Sequence, residues 1–315
     1  MKTLALRVAR AQRLGIAGVV ATLACACTSV ATHEATREFF FDDFSYRDAV
    51  AVQRAGWRAR DKPGHPGVAG ATWSADRISL VDDPDWPGNR LLRLTARTDG
   101  SVAGTGHTQL CHARKYLEGT YAARVRFADR PIEGPDGDVI VQTFYAVGPL
   151  RFDFDPDYSE VDWEYLPNGG WGDPRTRLYG VSWQTARIEP WWAFNQPFQL
   201  FHELGGWHVL LMQVAAGKVR FFVDGTFLGE AGGRNYPTVA MSLNFSLWFS
   251  PGGLLPEIQV QRVYQQDIDW VVHFKDKVLS PAEVEATVRA LRERGTTFVD
   301  SVPEREPRLE SMCDF

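Results

Sequence analysis

The segment YSEVDWEYLPNGG, residues 158–170, carries the alternation that decides the fold. Successive side chains of a β-strand point to opposite faces, so this segment would have one apolar face and one acidic face. The apolar face holds Val161, Trp163 and Tyr165, and the other face holds Tyr158, Glu160, Asp162 and Glu164. We therefore predict a strand that buries one face in a core and presents three carboxylates on the other.

Short alternating segments of the same kind occur along most of the chain. They span residues 79–81, 90–96, 119–127, 139–147, 159–166, 178–184, 207–214, 219–223, 226–230, 242–249 and 268–274. Asp224-Gly225 and Ala216-Gly217 are typical of tight hairpin turns. Many short strands separated by turn residues predict an all-β sandwich or barrel. The irregular stretch 188–204 is interpreted as a loop that lines a groove.

One helix is predicted near the C-terminus. Ser280 and Glu283 form a capping box, with proline at the first helical position between them. Val284, Val288 and Leu291 recur on one face, and Gly295 ends the run. We expect this helix to pack on the outside of the sheets. Residues 297–315 are predicted to form a loose tail.

The first 30 residues have the layout of a secretory signal. A basic start is followed by an apolar run of about 13 residues, 14–26, which is too short to span a membrane. We expect a secreted or cell-surface protein, and a lipid anchor through Cys25 or Cys27 is an alternative form of export. In an oxidising compartment Cys111 and Cys313 would either pair or remain two separate thiols.

Composition narrows the class of partner. A formal net charge of −5 gives no reason to expect binding to nucleic acid or to acidic membranes. Eleven tryptophans are present, and the interval from Trp163 to Trp270 holds most of them. Indole rings are natural platforms for the apolar faces of sugar rings, so some of these tryptophans are expected to bind carbohydrate and others to fill the core.

The acidic face suits acid–base chemistry. Repulsion between neighbouring carboxylates weakens a sheet, so an unmixed acidic row indicates function more than a solvated surface. Glu160 and Glu164 have backbones about 13 Å apart at ~3.3 Å per residue, which permits either the retaining or the inverting geometry of glycosidases. The charge of Asp162 between them would favour a proton on a neighbour. A calcium-binding loop is an alternative role for these acids. The sixth residue of such a loop would be Tyr158, a position at which calcium-binding loops need glycine.

The five residues Glu160 to Glu164 (EVDWE) resemble the E-x-D-x-E signature of glycoside hydrolase family 16. Residues 116–126 (YLEGTYAARVR) resemble that family's Y-G-x-(F/Y)-E-A-R-x-K strand. Trp207-His208 with Asp224-Gly225 resemble its W-H…D-G hairpin, and residues 241–249 and 268–271 resemble its last core strands. The resemblance covers about residues 40–274 and implies a concanavalin-like β-jelly roll of two curved antiparallel sheets over residues 31–296.

The resemblance also implies roles. Glu160 would be the nucleophile, Glu164 the general acid and then the base, and Asp162 the residue that controls the charge of the nucleophile. The chain departs from the family at residues 137–145 (GDVIVQTFY), which replace a tryptophan-rich strand that shapes sugar subsites. No cofactor is implied. Asp269 resembles a calcium ligand of some lichenases, which makes a structural calcium ion one alternative.

Several residues are candidates for holding a sugar. On the segment 242–249, Asn244 and Trp248 share the polar face. Tyr158 lies beside the acids, and Asn168 and Trp171 follow them in a turn. Trp191 and Trp192 are further groove candidates. Trp183 shares a face with Tyr179 and Val181, so a place in the core is favoured at least as much as a place in the groove. His208 is assigned a structural role.

These observations predict a secreted endo-acting β-glycanase that hydrolyses a glucan-like polysaccharide by a retaining mechanism. A transglycosylase that uses the same residues, a non-catalytic carbohydrate-binding jelly roll, and an exported protein whose aromatics bind protein partners are the alternatives. We expect a monomer whose partner is its polysaccharide substrate.

Overall fold

The computed structural model describes residues 38–310 and Cys313. The predicted signal and the two cysteines proposed for a lipid anchor lie outside these residues. No helix in the described part of the chain is long and apolar enough to cross a membrane.

The described residues form 17 strands and two α-helices. The strands are β1 (Phe39–Asp42), β2 (Arg58–Ala59), β3 (Thr72–Trp73), β4 (Ile78–Asp82), β5 (Arg90–Thr98), β6 (Gly106–Cys111), β7 (Gly119–Phe127), β8 (Ile140–Val147), β9 (Glu160–Leu166), β10 (Arg177–Arg187), β11 (Trp192–Leu200), β12 (Gly206–Ala215), β13 (Lys218–Val223), β14 (Thr226–Gly232), β15 (Ser242–Phe249), β16 (Arg262–Lys275) and β17 (Phe298–Asp300). The helices are α1 (Ala49–Arg54) and α2 (Pro281–Glu293), and short 3-10 turns occupy Ala75–Arg77 and Gly233–Asn235.

Two layers of antiparallel strands enclose the core. The front sheet has the order β2-β6-β15-β8-β9-β10-β11. The back sheet has the order β4-β5-β16-β7-β12-β13-β14, and β1 pairs with both β16 and β17 at its side. Val161, Trp163 and Tyr165 point into the core between the layers, together with Phe245 and Leu247 of β15. The predicted alternation of β9 and β15 and the all-β jelly-roll fold are therefore confirmed.

Both hairpin turns and the C-terminal helix follow their sequence signals. Asp224 and Gly225 have φ angles of 49° and 76°, the left-handed conformation that two-residue hairpins require at both positions. The capping box of Ser280 and Glu283 begins α2 as predicted. Val284 and Leu291 of this helix pack against the outer face of the back sheet.

Two elements differ from expectation. The segment interpreted as an irregular loop forms β11, which pairs with β10 along its whole length. The short helix α1 carries no strong sequence signal, although Asp48 caps it by accepting a hydrogen bond from the Ala51 amide at 2.9 Å.

The C-terminal segment is held in place, so the prediction of a loose tail is wrong for part of it. Strand β17 pairs with β1, which places residues 298–300 in the back sheet. The ammonium group of Lys115 is buried and binds Asp300 at 2.8 Å and Glu304 at 2.9 Å. Cys313 forms a disulfide with Cys111, which selects the paired alternative for these two cysteines.

Candidate active site

Strand β9 brings the three acids onto the face of the front sheet that points away from the core, which we call the site face. Its neighbours on this face come from β8 and β10. Glu160 lies opposite Val147 and Trp183, Asp162 opposite Tyr145 and Val181, and Glu164 opposite Thr143 and Tyr179. The predicted acids therefore lie together in one row, with aromatic and hydroxyl side chains on both sides.

Glu160 has hydrogen-bond donors that favour its ionised form. The buried Tyr158 hydroxyl donates to Glu160 Oε2, and the pKa of this tyrosine is raised well above its usual value by burial and by the charge of Glu160. Burial raises the pKa of Glu160 to about 7, whereas the hydrogen bonds with Tyr158 and Asp162 lower it. Tyr158 thus contacts the carboxylate directly, a different role from the sugar contact that was predicted.

Asp162 is the most deeply buried of the three acids. The Trp183 indole donates from Nε1 to Asp162 Oδ2 at 3.1 Å, and Oδ1 has no donor among the described residues. Burial raises the pKa of Asp162 well above its usual range, and the charges of Glu164 and Glu160 raise it further. Burial and the two neighbouring acids thus oppose a charge on Asp162, whereas the Tyr158 hydroxyl stabilises the charge of Glu160.

Glu164 has a different environment from Glu160. Its side chain is nearly buried, and no hydrogen bond reaches it from any residue that the structure describes. Burial raises its pKa to about 8, with a further contribution from the charge of Glu160. At neutral pH this carboxyl group keeps its proton, which is the state required of a general acid.

Asn244 does not face an accessible groove. It is fully buried, and its Nδ2 donates to the Ser242 carbonyl oxygen at 2.9 Å and to Ser242 Oγ at 3.1 Å. Its Oδ1 accepts a hydrogen bond from Gln109 Nε2 at 3.3 Å, and the same nitrogen donates to the Tyr145 hydroxyl at 2.9 Å. Asn244 therefore supports the floor of the site, because its polar atoms are already bonded within the protein.

Trp248 and Asn168 also differ from their predicted role. Trp248 lies on the site face but is buried against Trp73 and Leu166, so its ring is covered by the protein itself. Asn168 donates from Nδ2 to Asp136 Oδ1 at 2.8 Å and to the Asp138 carbonyl oxygen at 3.0 Å, which fixes the turn after β9.

Trp171 is one of the predicted sugar contacts that the structure leaves accessible, as are Trp191 and Trp192. Its side chain is 50% exposed, and its ring lies 5.2 Å from that of Tyr179, the neighbour of Glu164 on β10. An exposed indole at the Glu164 end of the acid row is placed to stack on a sugar ring.

Trp183 lies at the site, which decides between the core and groove positions that the sequence left open. The face shared with Tyr179 and Val181 was correctly recognised, but that face proved to be the site face. The signal lay in the register between β9 and β10, which sets Trp183 opposite Glu160. Tyr145 and Gln109 were also missed. Tyr145 lies opposite Asp162 on β8, and Gln109 reaches Tyr145 from β6 because β15 pairs with both β6 and β8.

The other candidate polar sites are occupied by protein groups. Asp269 accepts hydrogen bonds from Arg292 at 2.6 Å, Arg124 at 2.8 Å and Asn89 at 2.8 Å, so the proposed calcium ligand already binds two cations. His208 binds Asp224 at 2.7 Å across a hairpin of the back sheet, as expected of a structural histidine. Within residues 38–310 and Cys313, no cluster of three or more His, Cys, Asp or Glu could hold a metal ion.

No protein-family model matches this sequence, and no curated protein matches it in sequence. Solved structures match it clearly in fold. The β-glucanase of Bacillus licheniformis superposes with a TM-score of 0.55 at 17% identity, covering 76% of this chain and 99% of that chain. A lichenase derived from a mouse hindgut metagenome gives a TM-score of 0.54 at 19% identity, with coverages of 75% and 98%.

A third neighbour was solved with sugar bound. The family 16 glycoside hydrolase of Bacteroides ovatus, in complex with a G4G4G3G product, gives a TM-score of 0.55 at 16% identity and covers 74% of this chain and 98% of that chain. The described chain thus has the fold of the family 16 glycoside hydrolases, as the sequence motifs predicted.

Proposed function

We propose that this chain, which has the fold of the family 16 glycoside hydrolases, is a retaining endo-β-glycanase acting on a glucan-like polysaccharide. The observation that carries the proposal is the asymmetry of the acid row. Glu160 accepts hydrogen bonds that favour its charge, whereas Glu164 is nearly buried and accepts none from the described residues. One carboxylate and one carboxylic acid on the same strand are the two groups that glycoside cleavage requires.

In the first step, an oxygen of the Glu160 carboxylate attacks the anomeric carbon of the sugar. The bond from that carbon to the leaving oxygen breaks, and Glu164 gives its proton to the leaving oxygen. The proton on Asp162 and the hydroxyl of Tyr158 hold Glu160 in its charged form before attack. The products are a glycosyl ester on Glu160 and a shortened sugar chain.

In the second step, the roles reverse because the charge of Glu160 has disappeared. That charge helped to raise the pKa of Glu164, so Glu164 becomes a stronger acid and is ionised in the glycosyl-enzyme. It then takes a proton from water as the water oxygen attacks the anomeric carbon and releases Glu160. Two displacements at one carbon give net retention of configuration.

Variants of the two glutamates test the assignment. Wild type, Glu160→Gln and Glu164→Gln should be assayed for new reducing ends on mixed-linkage β-glucan, laminarin, xyloglucan and galactan. Both variants should lose turnover of the polymer by at least about 10³-fold. The exposed Glu133 provides the matched control Glu133→Gln, which should keep full activity.

A substrate with a leaving group that needs no proton separates the two roles. On a dinitrophenyl β-oligosaccharide, Glu164→Gln should still release the phenolate in a first turnover, whereas Glu160→Gln should not. Equal loss in both variants would contradict the separate roles of nucleophile and general acid.

Sugar transferred to an added acceptor would identify a transglycosylase, and binding without turnover by wild type would identify a carbohydrate-binding protein.

A further inference from the structure

Two segments from opposite edges of the front sheet meet above the site face. Residues 60–71 follow β2 at one edge, and the turn 188–191 joins β10 to β11 at the other. The His65 ring stacks on the Trp191 ring with centroids 5.4 Å apart and planes 25° from parallel. Because β6, β15, β8 and β9 lie between these edges, the contact passes over the strands that carry the acids.

On the β10 side, the contact leads directly to the acids. The Trp191 ring lies 6.0 Å from the Trp183 ring, in an edge-to-face arrangement. Trp183 in turn donates its indole hydrogen bond to Asp162. Aromatic contacts therefore run without a break from the turn 188–191 down to the middle acid.

On the β2 side, hydrogen bonds lead to the same place. Arg60 Nη1 donates to the His65 carbonyl oxygen at 3.0 Å and to Gln109 Oε1 at 3.3 Å. Gln109 donates to Tyr145, which lies opposite Asp162 on β8. The two paths thus form a closed ring of contacts that surrounds the site face at the level of Asp162.

The two sides of the contact are held differently. The segment 60–71 is fixed, because Arg60 is buried with its guanidinium 4.1 Å above the Trp73 ring. The Val68 amide also donates to His107 Nε2 at 3.3 Å, which ties the same segment to β6. Trp191 is 54% exposed at the tip of a turn. The turn 188–191 is therefore the more exposed side of the contact.

We propose that His65 and Trp191 form a cover over the acid row, and that this cover makes Trp191 a determinant of chain-length preference. Asp162 is 2% exposed and Glu164 9% exposed, so little of either acid is open to solvent beside the closed cover. A short oligosaccharide or the end of a chain can enter beneath the closed cover. The interior of a long polymer reaches the acids only after the cover opens, that is, after His65 and Trp191 separate. This inference rests on the proposed function, in which those acids act on sugar.

The first experiment compares chain lengths. Trp191→Ala and His65→Ala should each raise kcat/KM on a long β-glucan, relative to a dinitrophenyl tetrasaccharide, by about fivefold or more. The acid limb of the pH profile should move to lower pH in both variants, because water that reaches Glu160, the acid opposite Trp183, removes part of the burial that raises its pKa. Trp86→Ala is the control, because this tryptophan is 58% exposed in the turn between β4 and β5 of the back sheet and should leave the ratio and the limb unchanged.

The second experiment needs no turnover. A water-soluble carbodiimide with an amine labels accessible protonated carboxyl groups, and mass spectrometry of the peptide containing Glu160 to Glu164 gives the rate. Trp191→Ala and His65→Ala should be labelled several-fold faster than wild type, and Trp86→Ala at the wild-type rate. Equal labelling in all four proteins overturns the cover. Equal loss of activity on both substrates overturns its role in chain length and makes Trp191 a sugar platform. If wild type cleaves no sugar, the proposed function fails and the labelling rates alone decide whether the cover exists.

Discussion

Replacing Glu164 with glutamine should stabilise the folded protein at alkaline pH. Burial and the charge of Glu160 raise the pKa of this carboxyl from 4.5 to about 8 in the folded state. Between these two values the folded protein holds a proton that the unfolded chain has released. The free energy of unfolding of wild type therefore falls as pH rises through this window.

The magnitude follows from the difference between the two pKa values. At about 1.4 kcal/mol for each pH unit, the difference between 4.5 and about 8 corresponds to about 5 kcal/mol of lost stability above pH 8. Glutamine has nearly the same shape and remains neutral at every pH, so the variant avoids this loss. Its advantage over wild type should be small at pH 5 and should approach about 5 kcal/mol at pH 9.

Urea denaturation at pH 5, 7 and 9, followed by tryptophan fluorescence, measures the effect. The matched control is Glu133→Gln, which alters an exposed glutamate and should shift stability by the same small amount at every pH. If the stabilities of wild type and Glu164→Gln fall in parallel from pH 5 to pH 9, Glu164 is hydrated in the folded state and the reasoning is refuted.

Three further predictions concern the surroundings of the acids and the rest of the fold. Tyr158→Phe removes a hydrogen bond that lowers the pKa of Glu160. The acid limb of the pH profile of kcat/KM should therefore move to higher pH, and turnover should fall by about tenfold. An unchanged acid limb would show that Tyr158 does not control the pKa of Glu160. EDTA should leave the thermal midpoint of unfolding unchanged, because two arginines already bind the carboxylate of Asp269. Asp269→Ala should lower the free energy of unfolding in urea by about 3–5 kcal/mol, because it leaves those arginines without their partner. A midpoint that drops with EDTA would reveal a bound metal ion. Cys313→Ser should lower the free energy of unfolding by about 2–5 kcal/mol, since the bond to Cys111 closes a separation of 202 residues, and a reductant should weaken wild type but not the variant.

Alternation was sufficient to predict the strands whose two faces differ in chemistry. On β9 the apolar and acidic faces are unmixed, and on β15 Phe245 and Leu247 alternate with polar residues, so both strands and their buried faces were predicted correctly. Strand β11 mixes proline with aromatic and polar residues, and it forms because β10 supplies a long partner. The sequence of β11 alone has no regular alternation from which this pairing could be predicted.

The site was predictable only as far as one strand determines it. The row of acids depends on local alternation, which the sequence contains. Whether a side chain on the same face is accessible depends on the segments that cover it. Trp248 carries the polar-face signal of β15 but is covered by Trp73, which is distant in sequence. Trp183 reaches the acids through a register that no local pattern specifies.

Protonation explains how one strand tolerates three adjacent acids. If all three were ionised, a nearly buried row would hold three negative charges without an arginine or lysine bonded to any of them in the described structure, an arrangement that repulsion and desolvation both oppose. Burial instead keeps the protons on Asp162 and Glu164, and the hydrogen bond from Tyr158 places the remaining charge on Glu160. In the proposed mechanism, the same desolvation that would destabilise a charged row would separate one nucleophile from one proton donor. A cover that limits the access of water would maintain this division, which is why opening it should change the pH profile as well as the chain-length preference.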